Sequence, residues 1–356
     1  MSDETAKRIG INGLGRIGRM VLRRYFECIE ENKITGAEIV AVNDLAPIDA
    51  LAYLFKYDSA HGRYRGTINH SNDNLFVAEH EIKYFSRKDP AMIPWADMGV
   101  DIVLECTGRF KTREELARHF STGVSKVIIS APCPDADLTV VMGVNHEKYD
   151  PALHDILSNA SCTTNSLAPV AKVISDEFGI ESLFATTIHA YTSSQALVDI
   201  PSSKKSRGRS AAVSIIPSST GAAEATALVI PELKGKMEAV ALRVPIPDGA
   251  LTEIVANLVK QVTAKELNDA LWEASESSKL DGILGCTDED IVSIDIIGDS
   301  RSSIVNTRST KTLGRNMIYL QTWYDNEWGY SCRLLELASM VAANLKKRES
   351  MSFSLI

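Results

Sequence analysis

Two residues of this sequence, a cysteine and a histidine, have the types and placement that nucleophilic catalysis requires. Cys162 lies in SCTTN (161–165), directly before a run with helical apolar spacing. Its sulfur is therefore expected at a helix N-terminus, where partial positive charge stabilises a thiolate and lowers the thiol pKa. His189 ends the apolar run 183–188 and is the best candidate for the base that the thiolate needs. The alternative is an inert buried cysteine and a histidine that caps a strand, and these two residues alone leave it open.

A glycine-rich motif near the N-terminus predicts a dinucleotide site. Gly13, Gly15 and Gly18 form a GxGxxG between the first predicted strand and a long helix. Glycines there let the backbone approach a pyrophosphate, whose charge meets free amides at the helix N-terminus. Asp44 follows the next strand, where a carboxylate accepts hydrogen bonds from a ribose and repels a 2′-phosphate, so NAD is favoured over NADP. The alternative for Asp44 is an ordinary turn residue at a strand end.

The elements that must position these residues fall into two patterns. Up to about residue 160, short β-branched runs alternate with amphipathic helical stretches, which predicts a doubly wound parallel sheet covered by helices. Beyond Cys162, one helix is followed by long runs that predict an α+β domain with a mainly antiparallel sheet. The predicted strands are 8–12, 38–42, 101–106, 126–130, 138–144, 237–246 and 251–261. The predicted helices are 17–31, 112–120, 167–178, 263–275 with a capping box, and 331–346.

Composition argues against several classes of protein. A chain of 356 residues that is 45% hydrophobic exceeds one ordinary core, so two globular domains are expected. The net charge of -8 argues against a general nucleic-acid or membrane-surface role. We find neither a signal-peptide core nor an apolar run long enough to span a bilayer, which predicts a cytoplasmic protein. Six cysteines without a CxxC pair or a histidine at ligand spacing predict neither a disulfide framework nor a metal site.

Segments along the whole chain together resemble the glyceraldehyde-3-phosphate dehydrogenase family. They include INGLGRIGR (11–19), SNASCTTN (158–165), HAYT (189–192), LRVP (242–245) and WYDNEWGYS (323–331). The resemblance implies a Rossmann-type NAD-binding domain of residues 1–161 and 326–356, a catalytic domain of residues 162–325, and a homotetramer. It also implies NAD-dependent oxidation of glyceraldehyde 3-phosphate, with inorganic phosphate, to 1,3-bisphosphoglycerate through a hemithioacetal and a thioester on the cysteine.

The same resemblance implies roles for single residues. His189 would act as base and, with the backbone amide of Cys162, bind the developing oxyanion. The cofactor would be lined, besides the glycines and Asp44, by Arg16, Ile17, Thr107, Ser130 and, at the nicotinamide carboxamide, Asn326. The substrate phosphate would be bound by Thr192 and Arg243, and the attacking phosphate by Ser161, Thr163, Arg207, Thr220 and Gly221. Hydroxyls, amides and guanidinium groups are what phosphate oxygens require.

The sequence departs from the family pattern around the substrate pocket. Ser194 stands where the family usually has an acid, so a usual partner of Arg243 is missing. Ser206 and Asn306 replace both members of an expected ion pair, which leaves no unpaired charge behind. RVPIPDG (243–249) replaces the usual RVPTPN. The resemblance therefore predicts the residues of the substrate pocket less well than those of the rest of the site.

Three alternatives remain at this stage. The basic run 204–209 resembles a nucleic-acid patch, but it lacks interleaved aromatic residues and belongs to an acidic chain, so no nucleic-acid partner is expected. Erythrose 4-phosphate is a second possible aldehyde, since Ser194 and Ile246 leave it open although Thr192 argues against it. The third alternative is a binding protein that has this fold but no enzymatic activity. The presence of both Cys162 and His189 argues against it.

Overall fold

The computed structural model describes residues 6–34, 36–314 and 316–345, and two sheets organise them. The first sheet and its surroundings contain β1 (Lys7–Asn12), α1 (Arg16–Glu30), β2 (Ala37–Asn43), α2 (Ile48–Lys56), β3 (Tyr57–Asp58), β4 (Gly62–Arg63), β5 (Ile68–His70), β6 (Asn74–Val77), β7 (His80–Phe85), β8 (Ile102–Glu105), α3 (Arg113–Ala117), β9 (Lys126–Ile129), β10 (Leu138–Thr139) and β11 (Ile156–Ser158). The strand order is β10-β11-β9-β8-β1-β2-β7-β6-β5, with β3 and β4 forming a separate ribbon. Neighbours from β10 to β7 are parallel, which confirms the predicted doubly wound sheet.

The strand order of this sheet reverses at β1, which lies between β2 and β8. Crevices at such a switch point, outside the carboxyl ends of the strands, are where open α/β sheets bind ligands. The glycine motif 13–18 follows β1, Asp44 follows β2, Thr107 lies two residues beyond β8 and Ser130 follows β9. The topology therefore brings the predicted cofactor residues to one edge of the sheet.

The second sheet follows the reactive cysteine. Its elements are α4 (Cys162–Phe178), β12 (Ile180–Ala190), β13 (Ile216–Ser219), α5 (Ala222–Val229), β14 (Met237–Val244), β15 (Ala250–Leu258), α6 (Ala264–Ser275), β16 (Leu284–Thr287), β17 (Ser303–Leu313), β18 (Met317–Tyr324) and α7 (Trp328–Asn344). The order is β13-β14-β12-β15-β18-β17-β16. Among the described strands of this sheet, only the β12–β14 and β16–β17 pairs are parallel, so the expectation of a mainly antiparallel sheet is confirmed.

Helix α7 returns from the second sheet to the first. Its side chains Leu334, Leu337 and Val341 are fully buried, in the same hydrophobic core as Ile9 and Ile11 of β1. Burying aliphatic side chains of this size is worth roughly 1.5–3 kcal/mol each, so the helix contributes substantially to the stability of the first core. Among the described residues, no helix combines the length and apolarity that crossing a membrane requires.

Two sequence predictions about elements need correction. The predicted strand 138–144 is reduced to Leu138–Thr139, because the chain turns back at Gly143, whose φ is +79°. The Asn145 side chain accepts from the Val141 amide and donates to the Thr139 carbonyl, thereby replacing ladder bonds. The predicted helix 112–120 is α3 followed by a tighter 3₁₀ turn, Arg118–Thr122. The capping box of α6 is confirmed, whereas the end of the predicted last helix at 346 lies outside the described residues.

Candidate active site

Cys162 is the first residue of α4, as predicted. Ser161 is the N-cap residue, and its Oγ accepts a hydrogen bond of 3.1 Å from the Thr164 amide. Ala160, just before it, has a φ of +54°, an uncommon conformation for a residue with a Cβ. Burial raises the pKa of the Cys162 thiol, although the Arg243 charge and hydrogen bonds from Thr163 act in the opposite direction. The predicted lowering of this pKa is therefore wrong for the free protein, because desolvation outweighs the helix N-terminus.

His189 meets the cysteine from the neighbouring sheet. It is the penultimate residue of β12, and its Nε2 lies 3.3 Å from the Cys162 sulfur. The other ring nitrogen, Nδ1, lies 2.7 Å from the Ala190 carbonyl oxygen. Burial, and then the charge of Arg243, lower the pKa of His189 to about 3. Burial thus favours the uncharged forms of both the thiol and the imidazole.

Arg243 lies beside His189 because the backbone places it there. Strands β12 and β14 run parallel, and their register sets His189 directly opposite Arg243. The guanidinium donates from Nη1 to His189 Nδ1 over 2.5 Å and to the Ala190 carbonyl over 2.9 Å. Its Nε is buried and has no hydrogen-bond partner. The predicted anion-binding arginine is thus in direct contact with the predicted base.

Tyr324 is a member of the site that sequence reasoning missed. Its hydroxyl lies 3.0 Å from Thr163 Oγ1 and 2.8 Å from Thr187 Oγ1, and its ring packs edge-on against His189. The residue is fully buried at the end of β18. The motif WYDNEWGYS contains this tyrosine, so the signal was present, but no local pattern predicts its contact with α4.

The residues predicted to bind the two phosphates are partly assembled. The hydroxyl of Thr192 lies 2.9 Å from that of Ser194, which accepts a hydrogen bond of 3.2 Å from Arg207. The charge of Arg207 also acts on Arg243 and His189, which places these groups in one electrostatic neighbourhood. No carboxylate among the described residues forms an ion pair with either arginine. The region is therefore positively charged.

Thr220 and Gly221 occupy a separate position at the start of α5. Gly221 is the N-cap residue, and Thr220 Oγ1 accepts from the Ala222 amide over 3.3 Å. A glycine cap offers no side-chain acceptor, so the amides of Ala223 and Glu224, the next two residues of α5, have no partner within the helix. Within the described part of the chain, no hydrogen bond joins Thr220 or Gly221 to the Cys162–His189 pair.

The glycine motif has the close packing that a dinucleotide site requires. Gly13 has a φ of +95°, and a Cβ on it would lie 2.7 Å from the Thr107 amide nitrogen. A Cβ on Gly18 would lie 2.0 Å from the Gly13 carbonyl oxygen, whereas Gly15 faces open space. No side chain caps α1, so the amides of Arg16 and Ile17 in its first turn have no partner within the helix. These features fit a pyrophosphate above the turn.

A cleft of about 500 Å³ adjoins the motif and is lined by Gly13, Gly15, Asp44 and Thr107, among others. Asp44 is held in place, since its carboxylate accepts from the Leu14 and Ala46 amides over 2.7 and 2.9 Å. Thr107 donates to Glu105 from both its amide and its hydroxyl. The amide of Ser130 donates to the Glu105 carbonyl over 3.0 Å. Hydrogen bonds thus fix the side chains of Asp44 and Thr107 in the cleft wall, whereas Ser130 is not among the residues that line it.

Asn326 and Arg16 lie near each other where the start of α7 meets the start of α1. Asn326 precedes the N-cap residue Glu327. Its Oδ1 is buried without a hydrogen-bond partner and could therefore accept a hydrogen bond from the amide of a ligand. The Arg16 guanidinium is engaged by Glu327 and Asp58. Its side chain is thus occupied by carboxylates, and only its backbone amide is available to a pyrophosphate.

A buried charge cluster adjoins this region and was not predicted. Donor atoms of His61, Asp248 and Glu327 lie within 4.8 Å of one another, an arrangement compatible with a metal ion. Burial opposes a charge on His61, but hydrogen bonds to Asp248 and Glu327 outweigh it and raise the pKa of His61 to about 10. Burial and the nearby Asp248 raise the pKa of Asp325 to about 7. Protonated His61 and Arg16 already pair with these carboxylates, so ion pairs account for the cluster.

Family models match both halves of the chain. Residues 7–113 match the model described as glyceraldehyde 3-phosphate dehydrogenase, NAD binding domain. Residues 161–326 match the model described as glyceraldehyde 3-phosphate dehydrogenase, C-terminal domain. The glycine motif and Asp44 lie within the first match, and Cys162, His189 and Arg243 lie within the second.

Full-length relatives give the same result. A glyceraldehyde-3-phosphate dehydrogenase of Geobacillus stearothermophilus is 48% identical over 338 residues, which cover 95% of this chain and 99% of the relative. The enzyme of that name from Thermotoga maritima is 47% identical, covering 94% and 98% of the two chains. One from Monascus purpureus is 49% identical, covering 94% and 97%. The chain therefore belongs to the glyceraldehyde-3-phosphate dehydrogenase family of NAD-dependent oxidoreductases.

Proposed function

We propose that this protein oxidises glyceraldehyde 3-phosphate with NAD and inorganic phosphate to form 1,3-bisphosphoglycerate. One observation carries the proposal: the Cys162 sulfur lies 3.3 Å from His189 Nε2 at the start of α4. A thiol, an adjacent base and a helix N-terminus are the parts that covalent catalysis on an aldehyde requires. The family membership of the chain supports the choice of reaction.

The chemistry divides between sulfur and imidazole. The Cys162 thiol gives its proton to His189 Nε2, and its sulfur bonds to the aldehyde carbon, whose oxygen takes up the proton to give a hemithioacetal. His189 then removes that proton again as the carbon–hydrogen bond breaks and a thioester forms. The backbone amide of Cys162, at the open end of α4, supports the oxygen while it carries negative charge. An oxygen of inorganic phosphate then attacks the thioester carbon, and the sulfur leaves as thiolate.

Two sets of residues would hold the phosphates. Thr192 and Arg243 would bind the phosphate of the substrate, and Ser161, Thr163, Arg207, Thr220 and Gly221 would bind the attacking phosphate. The positive charge of the two arginines, without carboxylate partners among the described residues, supports this assignment. Thr163 is held by Tyr324, which supports a fixed hydroxyl at that pocket.

NAD, when bound, accepts the hydride. We propose that the amides of Gly15, Arg16 and Ile17 hold its pyrophosphate and that Asp44 accepts from the adenosine ribose. Thr107 would line the cleft and Ser130 would lie beside it, while Gly13 and Gly18 provide the space. Asn326, with its unpartnered buried Oδ1, would accept from the nicotinamide carboxamide and fix the presented face.

We also propose a division of the chain into two domains. Residues 1–161 with 326–356 would form the NAD-binding domain and residues 162–325 the catalytic domain. The burial of α7 in the core of the first sheet supports assigning the C-terminal segment to the first domain. We also propose a cytoplasmic location and glyceraldehyde 3-phosphate and inorganic phosphate as the small-molecule partners.

The homotetramer is proposed from the resemblance to the glyceraldehyde-3-phosphate dehydrogenase family, and the surface of the protomer supports an assembly of several copies. The loop after β12 exposes apolar side chains that a soluble monomer would be expected to cover: Leu197, Val198, Ile200, Val213 and Ile215, each at least 56% exposed. Arg209 on the same loop pairs with Asp199, which reduces the basic patch available to a nucleic acid. Sedimentation should therefore give a tetramer, and a monomer at micromolar concentration would contradict this proposal.

The reaction is tested by following NADH formation with glyceraldehyde 3-phosphate, with and without inorganic phosphate. Sustained turnover should require phosphate, and Cys162→Ser should abolish it, whereas Cys28→Ser, a matched change on α1, should leave it unchanged. Erythrose 4-phosphate serves as the comparison aldehyde. It is not favoured, because the relatives cited above carry the name glyceraldehyde-3-phosphate dehydrogenase. Equal activity of Cys162→Ser and wild type would refute the mechanism.

A further inference from the structure

A short turn joins the first sheet to the helix that carries the reactive cysteine. Residues 159–161 separate Ser158, the last residue of β11, from Cys162, the first residue of α4. Within this turn Ala160 has a φ of +54°, in the left-handed region that residues with a Cβ rarely adopt. The position of the sulfur therefore depends on a backbone conformation that an alanine does not favour by itself.

Burial distinguishes Ala160 from the other residues of this kind. Asn32 and Ala78 are the other described non-glycine residues with a positive φ, and both are exposed in turns at the surface. Ala160, in contrast, is fully buried. A strained residue persists only where the surrounding structure enforces its conformation, and such residues are concentrated at functional sites. Neighbouring groups should therefore hold Ala160 in place.

Side chains hold the carbonyl groups of this turn. Nδ2 of Asn165, the fourth residue of α4, donates to the Asn159 carbonyl over 2.8 Å and to the Ser161 carbonyl over 3.0 Å. The Ala160 carbonyl accepts a hydrogen bond of 3.1 Å from the Tyr330 hydroxyl. Each carbonyl of the turn therefore binds a side-chain donor, and Asn165 alone supplies the bonds on both sides of Ala160.

The amides of the same turn are fixed from the first sheet. The Ala160 amide donates to Ser158 Oγ over 3.1 Å, and the Ser158 hydroxyl donates to the Ala131 carbonyl over 2.8 Å. The Asn159 amide donates to the Ile129 carbonyl, at the end of β9, over 3.1 Å. The turn is thus anchored to the first sheet through its amides, while the bonds from the helix side chain tie its carbonyls to α4.

The conformation of the turn decides where the sulfur and the first amides of α4 point. Ser161 follows Ala160 with a φ of -108° and a ψ of 164°, and it is the N-cap residue of α4. Burial raises the pKa of the Cys162 thiol, and hydrogen bonds from the amides of Cys162 and Thr163 are among the groups that oppose this effect. If Ala160 took a negative φ, the start of α4 would rotate relative to β11. The sulfur would then leave its position 3.3 Å from His189 Nε2.

We propose that Asn165 is a positioning residue that holds Ala160 in the left-handed conformation and thereby aims the Cys162 sulfur at the substrate. This inference rests on the proposed function and deepens it. Asn165 acts through the backbone of residues 159–161 rather than through contact with the reacting atoms. Its Oδ1 is buried without a hydrogen-bond partner, so the amide nitrogen alone makes the bonds of the side chain.

The first experiment uses Asn165→Leu in the full-length protein, because leucine keeps the size of the side chain and lacks the Nδ2 donor. A burst of NADH without inorganic phosphate reports thioester formation alone. With glyceraldehyde 3-phosphate, the rate of this burst should fall about 100-fold, as it does when a reacting atom is displaced by about 1 Å. The dissociation constant of NAD should change by less than about twofold, because the hydrogen bonds of Asn165 do not reach the cofactor cleft.

Asn268→Leu is the matched control for this experiment. Nδ2 of Asn268, on α6, also donates to a backbone carbonyl, that of Thr307 over 2.9 Å. The control variant therefore loses a hydrogen bond of the same kind outside the turn, and it should keep the wild-type burst rate. A folded Asn165→Leu protein with the wild-type burst rate would overturn the proposal.

A second substitution separates positioning from general stabilisation. Glycine adopts a positive φ about as readily as a negative one, so it does not need Asn165 to hold it there. Ala160→Gly in the Asn165→Leu background should therefore raise the burst rate about tenfold, which corresponds to the cost of a left-handed alanine. A double variant no faster than Asn165→Leu would refute the positioning role.

Failure of this inference and failure of the proposed function give different results. Absence of a burst in wild type would refute the proposed function itself, whereas a normal wild-type burst that Asn165→Leu leaves unchanged refutes only the positioning role. If Asn165→Leu does not fold, Asn165→Ser decides, because a serine hydroxyl still reaches the carbonyl four residues earlier but not that of Asn159. Its burst rate should fall about fivefold for the one lost hydrogen bond, and a wild-type rate would overturn the proposal.

Discussion

Nε of Arg16, in the first turn of the first helix, donates to both carboxylate oxygens of Glu327, at the start of the last described helix, over 2.9 and 3.0 Å. The pair joins the turn of the glycine motif, where we propose that the pyrophosphate binds, to the residue beside Asn326. Glu327→Gln should therefore lower the free energy of unfolding by about 1–2 kcal/mol, because Arg16, whose side chain is 33% exposed, loses one of its two carboxylate partners. It should also raise the dissociation constant of NAD about tenfold, equivalent to about 1.4 kcal/mol.

Denaturant unfolding and calorimetric titration with NAD measure these two effects. Asp269→Asn is the control, since it removes the exposed Lys265–Asp269 pair of α6 and should change stability by less than about 0.5 kcal/mol. Equal losses in the two variants would contradict the importance of the Arg16–Glu327 pair.

Stability should fall in alkaline solution because of His61. Its folded pKa of about 10 lies above the unfolded value of about 6.5. The stabilisation by its charge is therefore complete below about pH 6.5 and is lost as the pH rises through 10. The melting temperature of wild type should decrease across this range, whereas His61→Gln should be less stable at pH 6.5 and show a flatter profile. Parallel profiles for the two proteins would show that His61 is not the responsible group.

Loss of the base should affect chemistry and not cofactor affinity. His189→Asn should reduce the rate of the NADH burst by about 10²- to 10⁴-fold, the range for removal of a general base. NAD affinity should be unchanged, because the imidazole contacts Cys162, Ala190 and Arg243 and none of the cofactor-cleft residues named above. Rapid-mixing kinetics test this, with His70→Gln on exposed β5 as the matched control. A burst as fast as that of wild type would exclude His189 as the base.

Glu105 should act as a positioning residue for the cofactor cleft. This fully buried carboxylate accepts from Asn12 over 2.5 Å, from the Thr107 amide over 2.8 Å, and lies 3.3 Å from His119 Nε2. Glu105→Gln turns one acceptor into a donor, so at least one partner loses its bond, at a cost of about 1–3 kcal/mol. KM for NAD should rise about tenfold while kcat changes by less than about twofold.

The control for this prediction is Glu81→Gln, the same substitution at an exposed position of β7. It should leave KM for NAD and the unfolding midpoint unchanged. A fall in kcat with unchanged KM in Glu105→Gln would show that the carboxylate serves the reaction rather than the cofactor cleft.

Tyr324 should tune the phosphate pocket through Thr163. Tyr324→Phe removes the hydroxyl that bridges Thr163 and Thr187, which should cost about 1–2 kcal/mol of stability. KM for inorganic phosphate should rise about fivefold, while KM for NAD stays the same. Steady-state kinetics with varied phosphate measure this, and Tyr53→Phe, on the exposed face of α2, is the control. An unchanged phosphate KM would contradict the link between Tyr324 and Thr163.

Local patterns predicted most elements because burial repeats with the period of each element. Strand β1 and helix α1 were placed within one residue of their ends, since apolar alternation and the glycine motif define them. The strand predicted over 138–144 is shorter in the structure, for a reason that the periodicity of apolar residues does not reveal. There, Asn145 supplies the backbone with bonds that a longer strand would have made.

Only the site residues that stand in distinctive sequence motifs could be predicted. Cys162 and His189 stand in distinctive segments, and the structure brings their side chains together. The contact of Tyr324 with Thr163 spans 161 positions, so no local pattern specifies it. The pKa of the Cys162 thiol also depends on desolvation, which cannot be read from the sequence. The position at a helix N-terminus predicted a lowered pKa, whereas burial raises it.

The return of α7 to the first sheet has a consequence for synthesis of the chain. Leu334, Leu337 and Val341 fill a core whose other members, such as Ile9 and Val21, are translated first. A nascent chain on the ribosome thus completes every strand of the first sheet while part of its hydrophobic surface is still uncovered. We therefore expect that this core is completed only once α7 has been synthesised.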